Sequence, residues 1–144
     1  MKGIPMIKSV MTPFPYFVDM DDDIGKAETM MAEHDIGHLP VIEGGRLVSV
    51  ISGDDILQVK KTVSPRSGND PLLVRDGCES EVYIVELTER LDAVLLHMAR
   101  THIDCTLVVK KDRLVGIFTM RDACRCFGKW LRRQFSGGDG HDAA

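Results

Sequence analysis

Two stretches of the chain repeat each other at a fixed distance, and this constrains the fold more than any other feature. Residues 36–56, IGHLPVIEGGRLVSVISGDDI, align without a gap on residues 103–123, IDCTLVVKKDRLVGIFTMRDA. Ile36 meets Ile103, Arg46 meets Arg113, Ser52 meets Thr119 and Asp55 meets Asp122, each pair 67 residues apart. The register holds upstream, with Val18 on Val85, Ile24 on Leu91, Ala27 on Val94 and Met31 on Met98. One offset kept across apolar and polar positions alike marks a duplicated unit.

Each copy reads strand, helix, strand, strand, helix. In the first, Tyr16 to Val18 is a strand, and Asp21 caps a helix from Asp22 to Glu33 whose apolar stripe is Ile24, Ala27 and Met31. Leu39 to Ile42 and Leu47 to Ile51 form a hairpin around Glu43-Gly44-Gly45-Arg46, and a helix follows from Gly53 to Lys61. In the second, Tyr83 to Val85 is a strand and Thr88 caps a helix carrying Leu91, Val94, Leu95 and Met98. Thr106 to Val109 and Leu114 to Phe118 are the hairpin strands, and the last helix starts near Met120. One such unit buries too little apolar surface alone. The expectation is an α/β (α+β) protein of two repeated β-α-β-β-α units packed with pseudo-two-fold symmetry, with two equivalent clefts between them. The boundaries read as 1–61 for the first repeat, 62–71 for a Pro- and Ser-containing linker, 72–135 for the second repeat with its C-terminal helix, and 136–144 for a disordered tail.

Composition narrows the function. Eighteen basic against 22 acidic residues give a net charge of −4, which disfavours a general nucleic-acid binder. No apolar run approaches the roughly 18 residues of a membrane span, and the first residues do not read as a secretory signal. Cys78, Cys105, Cys124 and Cys126 form no CxxC pair and have no His at zinc spacing, so reduced thiols in the cytoplasm and no metal site are expected. No Ser-His-Asp order, metal triad, Gly-rich phosphate loop or dehydrogenase fingerprint is present, so the chain reads as a non-enzyme.

The chemistry sits where each hairpin runs into a helix. Val50-Ile51-Ser52-Gly53-Asp54-Asp55 and Ile117-Phe118-Thr119-Met120-Arg121-Asp122 both read strand, hydroxyl, two residues, Asp, helix. A hydroxyl at a helix N-cap, with free N–H groups beside it, attracts an anion such as phosphate. The acid one turn in suits a ribose diol. The same spacing is also a capping arrangement that needs no ligand, and the residues alone leave both readings open. In the second copy Arg121 can pair with phosphate, whereas Asp54 in the first repels it; His38 can donate to phosphate when protonated. Gly116, standing where the first copy has Ser49, permits a closer backbone approach.

The paired motif resembles the cystathionine β-synthase (CBS) domain, whose tandem pair is called a Bateman module. In the first copy the resemblance runs from Ser9 to Val59, with Val10-Met11-Thr12-Pro13 as its opening and His38-Leu39-Pro40-Val41 as the Pro-Val strand; in the other it runs from Leu72 to Phe127. This later copy departs from the pattern, since Leu107 stands where Pro40 does and Val74-Arg75-Asp76-Gly77 lacks the Thr-Pro pair. The resemblance implies a regulatory module that binds AMP, ADP, ATP or S-adenosylmethionine between the repeats and signals to an effector protein by changing shape. Carried over, Ser52 and Asp55 hold phosphate and ribose at a first site walled by Thr12, Val18, Ile36, His38, Leu39 and Pro40. Thr119, Arg121 and Asp122 do so at a second site walled by Ile84, Ile103, Cys105, Thr106 and Leu107. It also implies a flat homodimer. The competing expectation is a ligand-free oligomerisation or protein-interaction module. The last helix combines Cys124, Phe127, Trp130 and Leu131 with Arg125, Lys129, Arg132 and Arg133, which reads as packing on the module or on a dimer mate.

Overall fold

A computed structural model describes residues 3–62, 70–79 and 81–136; most of the linker and the tail from 137 onward lie outside them. After a single 3-10 turn at Ile7–Ser9, the order is β1 (Thr12–Pro13), β2 (Val18–Asp19), α1 (Ile24–His34), β3 (His38–Glu43), β4 (Arg46–Ser52) and α2 (Gly53–Thr62). Then come α3 (Val74–Gly77), β5 (Tyr83–Glu86), α4 (Leu91–Thr101), β6 (Cys105–Lys110), β7 (Arg113–Thr119) and α5 (Met120–Phe135). The mixed α+β architecture and the repeat read from the sequence are both present.

The strands make two sheets, ordered β2-β3-β4 and β1-β7-β6-β5. In each, the hairpin is antiparallel and the strand before the long helix lies parallel to the first hairpin strand. The hairpin turns need left-handed backbone. Gly44 and Gly45 supply it in one copy (φ 59° and 80°), and Lys111 and Asp112 adopt it in the other (φ 50° and 65°). Alternation along each strand sends one set of side chains to the helices and the other to the facing sheet. Val18, Leu39, Val41 and Ile51 thus join Ile24, Ala27 and Met31 in the first half's core. Val85, Val94, Met98, Val108 and Phe118 form the second half's core. Val50, Cys105, Leu107 and Ile117 fill the space between the sheets.

Each half is completed by the segment that leads the other. Ile7, fully buried, packs into the second half's core, and Ile7 N and Lys8 N donate to Glu89 O and Leu87 O at 2.7 and 3.2 Å. Val74, also fully buried, packs into the first half's core, and Val74 N and Arg75 N donate to Asp22 O and Met20 O at 2.8 and 2.9 Å. The exchange explains the helix starts. α1 begins at Ile24, not Asp22, with Asp23 as its cap accepting from Gly25 N, because Asp22 is turned to accept from Asp19 N at 2.8 Å. α4 begins at Leu91 behind Arg90, which makes no side-chain cap, so Thr88 is not the cap expected. The first N–H of each helix instead donates across the exchange, Ile24 N to Leu72 O and Leu91 N to Pro5 O, both at 2.9 Å. No helix among the described residues is long and apolar enough to cross a membrane.

Candidate functional site

Both strand–hydroxyl–acid corners fold as capping boxes. Ser52 N donates to Asp55 Oδ2 at 2.8 Å while Asp55 N donates back to Ser52 Oγ at 3.1 Å. At the other corner Asp122 Oδ2 accepts from Thr119 N (2.9 Å) and Thr119 Oγ1 (3.2 Å). Its Oδ1 accepts from Thr12 Oγ1 (3.3 Å) and from Arg125 Nη1 (2.9 Å). Capping is therefore real at both, and each corner also opens onto a cleft.

The clefts differ in size. The larger, about 850 Å³, is lined by Thr119, Arg121, Asp122 and Arg125 on one side and by Ile36 and His38 on the other, with Thr12 and the run from Pro13 to Tyr16 along its rim. The smaller, about 190 Å³, holds Ser52 and Asp55 against Ile103, Cys105, Glu79 and Glu81. Small-molecule sites usually enclose about 300–1,000 Å³, a range the larger cleft meets and the smaller does not.

The walls are exchanged relative to the expectation. Thr12, Ile36 and His38 were assigned with Ser52 and Asp55, but they line the large cleft with Thr119, Arg121 and Asp122. Ile103 and Cys105 were assigned with Thr119, but they line the small cleft with Ser52 and Asp55; His38 borders both. The cause is the crossing: β1 pairs with β7, placing Thr12 opposite Ile117. Val18, Leu39, Pro40, Ile84, Thr106 and Leu107 line neither cleft. Val18 and Leu39 point to the helix side and Leu107 into the inter-sheet core. Pro40 is buried, Thr106 is fully buried with no partner for its hydroxyl, and Ile84 is exposed. Consecutive strand residues cannot all face one cleft, which accounts for the loss of Leu39 beside His38 and of Thr106 beside Cys105.

The residues the sequence reading missed lie on the rim of the large cleft. Phe14, at φ 48° and 84% exposed, and Tyr16 belong to the aromatic run Pro13-Phe14-Pro15-Tyr16-Phe17. Tyr16 stacks on His34 with ring centroids 3.7 Å apart. The density of aromatics in that run was the available signal. Arg121 reaches across the cleft mouth to the other half, donating to Asp35 O at 3.0 Å. Gly116 does admit a close approach, but the group beside it is Met11: a Cβ there would clash with the Met11 side chain.

One position sets the electrostatics of the two clefts apart. At the 67-residue offset the counterpart of Thr12 is Glu79, not a residue of Val74-Arg75-Asp76-Gly77. Glu79 N donates to Val50 O at 3.0 Å, mirroring the pairing of Thr12 with Ile117. Thr12 offers Asp122 a hydroxyl. Glu79 offers Asp55 a second carboxyl, whose pKa is pushed up to about 7 by partial burial first, then by its hydrogen bond to Asp55 and the charges of Asp55 and Asp104. Burial also lowers the pKa of His38 from 6.5, outweighing Asp104, Asp55 and Asp54. Burial therefore disfavours the protonated form of His38 that would donate to phosphate. Among the described residues no group of three or more His, Cys, Asp or Glu side chains is placed to hold a metal ion.

The Glu79 shift has a sign that can be measured. Between its unfolded value of 4.5 and about 7, the folded chain keeps a proton the unfolded chain has lost. Its contribution to stability is thus fully present below 4.5 and is lost as the pH rises through about 7. Glu79→Gln is expected to flatten the fall in melting temperature from about pH 5 to about pH 8 relative to wild type. Parallel curves for the two proteins would show that no such proton is held.

Comparison with known proteins places this geometry. The family model described as "CBS domain" matches residues 7–61 and again 78–129. A putative acetoin utilization protein (AcuB) from Vibrio cholerae superimposes with a TM-score of 0.79 at 25% identity, over 92% of this chain and 96% of that one. The domain pair of protein MJ0100, solved in complex with 5′-methylthioadenosine and S-adenosyl-L-methionine, superimposes with a TM-score of 0.75 at 26% identity, over 89% of this chain and 99% of that one. In sequence, L-aspartate semialdehyde sulfurtransferase of Methanocaldococcus jannaschii is 30% identical over 131 residues, covering 87% of this chain. The chain spans 24% of that protein's length and 31% of the zinc metalloprotease MJ0392 of the same organism, to which it is 32% identical.

Proposed function

Because the chain belongs to the CBS domain family, with two copies of the domain, we propose that it is a regulatory sensor whose large cleft binds an adenosine-containing ligand. Candidate ligands are AMP, ADP, ATP and S-adenosylmethionine. The observation that carries the reading is the Thr119–Asp122 corner opening onto a cleft of about 850 Å³ flanked by Arg121 and Arg125. Asp122 takes the ribose, the N-terminus of α5 and its two arginines take phosphate, and the base lies against Ile36 and the aromatic rim. The binding of 5′-methylthioadenosine and S-adenosyl-L-methionine by the MJ0100 pair supports the ligand class. The small cleft, with its facing carboxyls and smaller volume, is not the nucleotide site.

Ligand in the large cleft touches both halves, so occupancy favours one relative placement of the repeats and of α5, which an effector protein reads. A homodimer in the cytoplasm is the setting we propose, with the exposed Phe127, Trp130 and Phe135 of α5 available to a partner. The Cys105 thiol in the small cleft is pushed up to about 12 by burial and by the nearby Asp122 and Asp104, which makes it a poor nucleophile. The second reading, a ligand-free interaction module, draws on the capping boxes, which satisfy both corners internally. Thermal unfolding with AMP, ATP and S-adenosylmethionine decides between them. A ligand at a hundred times its Kd is expected to add about 2.7 kcal/mol of stability; no shift with any of them favours the interaction module.

A further inference from the structure

The Asp122 carboxylate has no acceptor site left. It offers roughly four lone-pair positions, and Thr119 N, Thr119 Oγ1, Thr12 Oγ1 and Arg125 Nη1 occupy them. A ribose diol can bind only by displacing one of these donors. Thr119 N is fixed by the backbone turn of the α5 capping box, and the Thr119 hydroxyl, on the same capping residue, stays beside the carboxylate even when it rotates. Thr12 is held in place by the pairing of β1 with β7. Arg125 is different: it lies three residues along α5, its side chain is 51% exposed while that of Asp122 is 6% exposed, and it lines the large cleft beside Arg121.

From this we infer that Arg125 determines selectivity for phosphorylated over unphosphorylated adenosine ligands. The inference rests on the proposed nucleotide reading of the large cleft. In the empty cleft Arg125 covers Asp122. When a ribose takes the carboxylate, Arg125 is released. A ligand with a phosphate offers the guanidinium a new anion, so one ion pair is exchanged for another. Adenosine offers none, so the ion pair is lost without replacement and binding is weaker by that amount. Arg121 lacks this property, because its partner is Asp35 across the cleft and its release does not uncover the ribose acid.

Calorimetric titration of the full chain with AMP and with adenosine tests this in wild type, Arg125→Gln and Arg121→Gln, with thermal unfolding to confirm that each variant folds. Wild type should prefer AMP by about tenfold or more. Arg125→Gln should weaken AMP and tighten adenosine, narrowing the preference from both sides. Arg121→Gln should weaken AMP without tightening adenosine. Equal loss of both ligands in Arg125→Gln, or an unchanged ratio, overturns the selectivity role while leaving the cleft a nucleotide site. If wild type binds neither ligand, this inference falls, and the nucleotide reading falls with it when ATP and S-adenosylmethionine also leave the melting temperature unchanged.

Discussion

Ile7→Ala is expected to destabilise the chain by about 3 kcal/mol, although the residue lies six positions from the first amino acid. Leading segments are usually frayed, and substitutions in them cost within about 0.5 kcal/mol. Ile7 is instead fully buried against Phe118, Val94 and Val108 of the opposite half. The backbone around it carries hydrogen bonds to Glu89 O, Leu87 O and, from Leu91 N, to Pro5 O. Truncation therefore leaves a cavity in a core that the segment's own half does not contain, and it loosens the start of α4. Chemical denaturation checks this. The midpoint should fall with an unchanged m-value, and Val74→Ala should do the same from the other side of the pseudo-two-fold axis, by less because one methylene fewer is removed. A cost for Ile7→Ala below about 1 kcal/mol would mean that the leader is not seated in that core.

That crossing marks where the sequence ran out. The duplication was legible because a constant offset is a property of the chain itself, and the hairpins were legible because alternating apolar residues around Gly44 and Gly45 admit few other structures. The offset also pairs Ile7 with Val74 and Thr12 with Glu79. It is silent, however, on which half a leader joins, because an exchanged and an unexchanged arrangement bury the same residues. The site inherited this ambiguity. Ser52, Asp55, Thr119 and Asp122 were found because their spacing is local, and all four line clefts. Their walls were assigned to the wrong partners because the assignment depended on tertiary crossing. Matching Thr-Pro against Val74-Arg75-Asp76-Gly77 by motif, not by offset, also hid Glu79, the residue that makes the small cleft acidic. Arg125 was read only as part of a basic helix face, although its (i, i+3) spacing from Asp122 was visible.

The two corners share a motif but not a load, so Asp122→Ala and Asp55→Ala are expected to differ. Asp122 joins three parts of the chain: the capping box at Thr119, the β1 segment through Thr12, and α5 through Arg125. Its removal loses a cap worth about 1 kcal/mol and strips charge-assisted partners from a nearly buried position, for a total of about 2 kcal/mol. Asp55 also caps, but it faces the Glu79 carboxyl, whose pKa is raised by burial first and then by Asp55, and deleting Asp55 removes the like charge that an ionised Glu79 meets there. The relief offsets part of the lost cap, and the net cost falls below about 1 kcal/mol. For function, Asp122→Ala should abolish the thermal shift produced by AMP, whereas Asp55→Ala should retain it because the proposed nucleotide site is the large cleft. Ligand recognition and capping are therefore not alternatives at Asp122: in the proposed site the same carboxylate serves both, and stability and binding should be lost together. Equal destabilisation by the two variants would show that the two acids carry the same load, and an AMP shift that survives Asp122→Ala and disappears in Asp55→Ala would transfer the nucleotide to the small cleft and reverse the assignment of the sites.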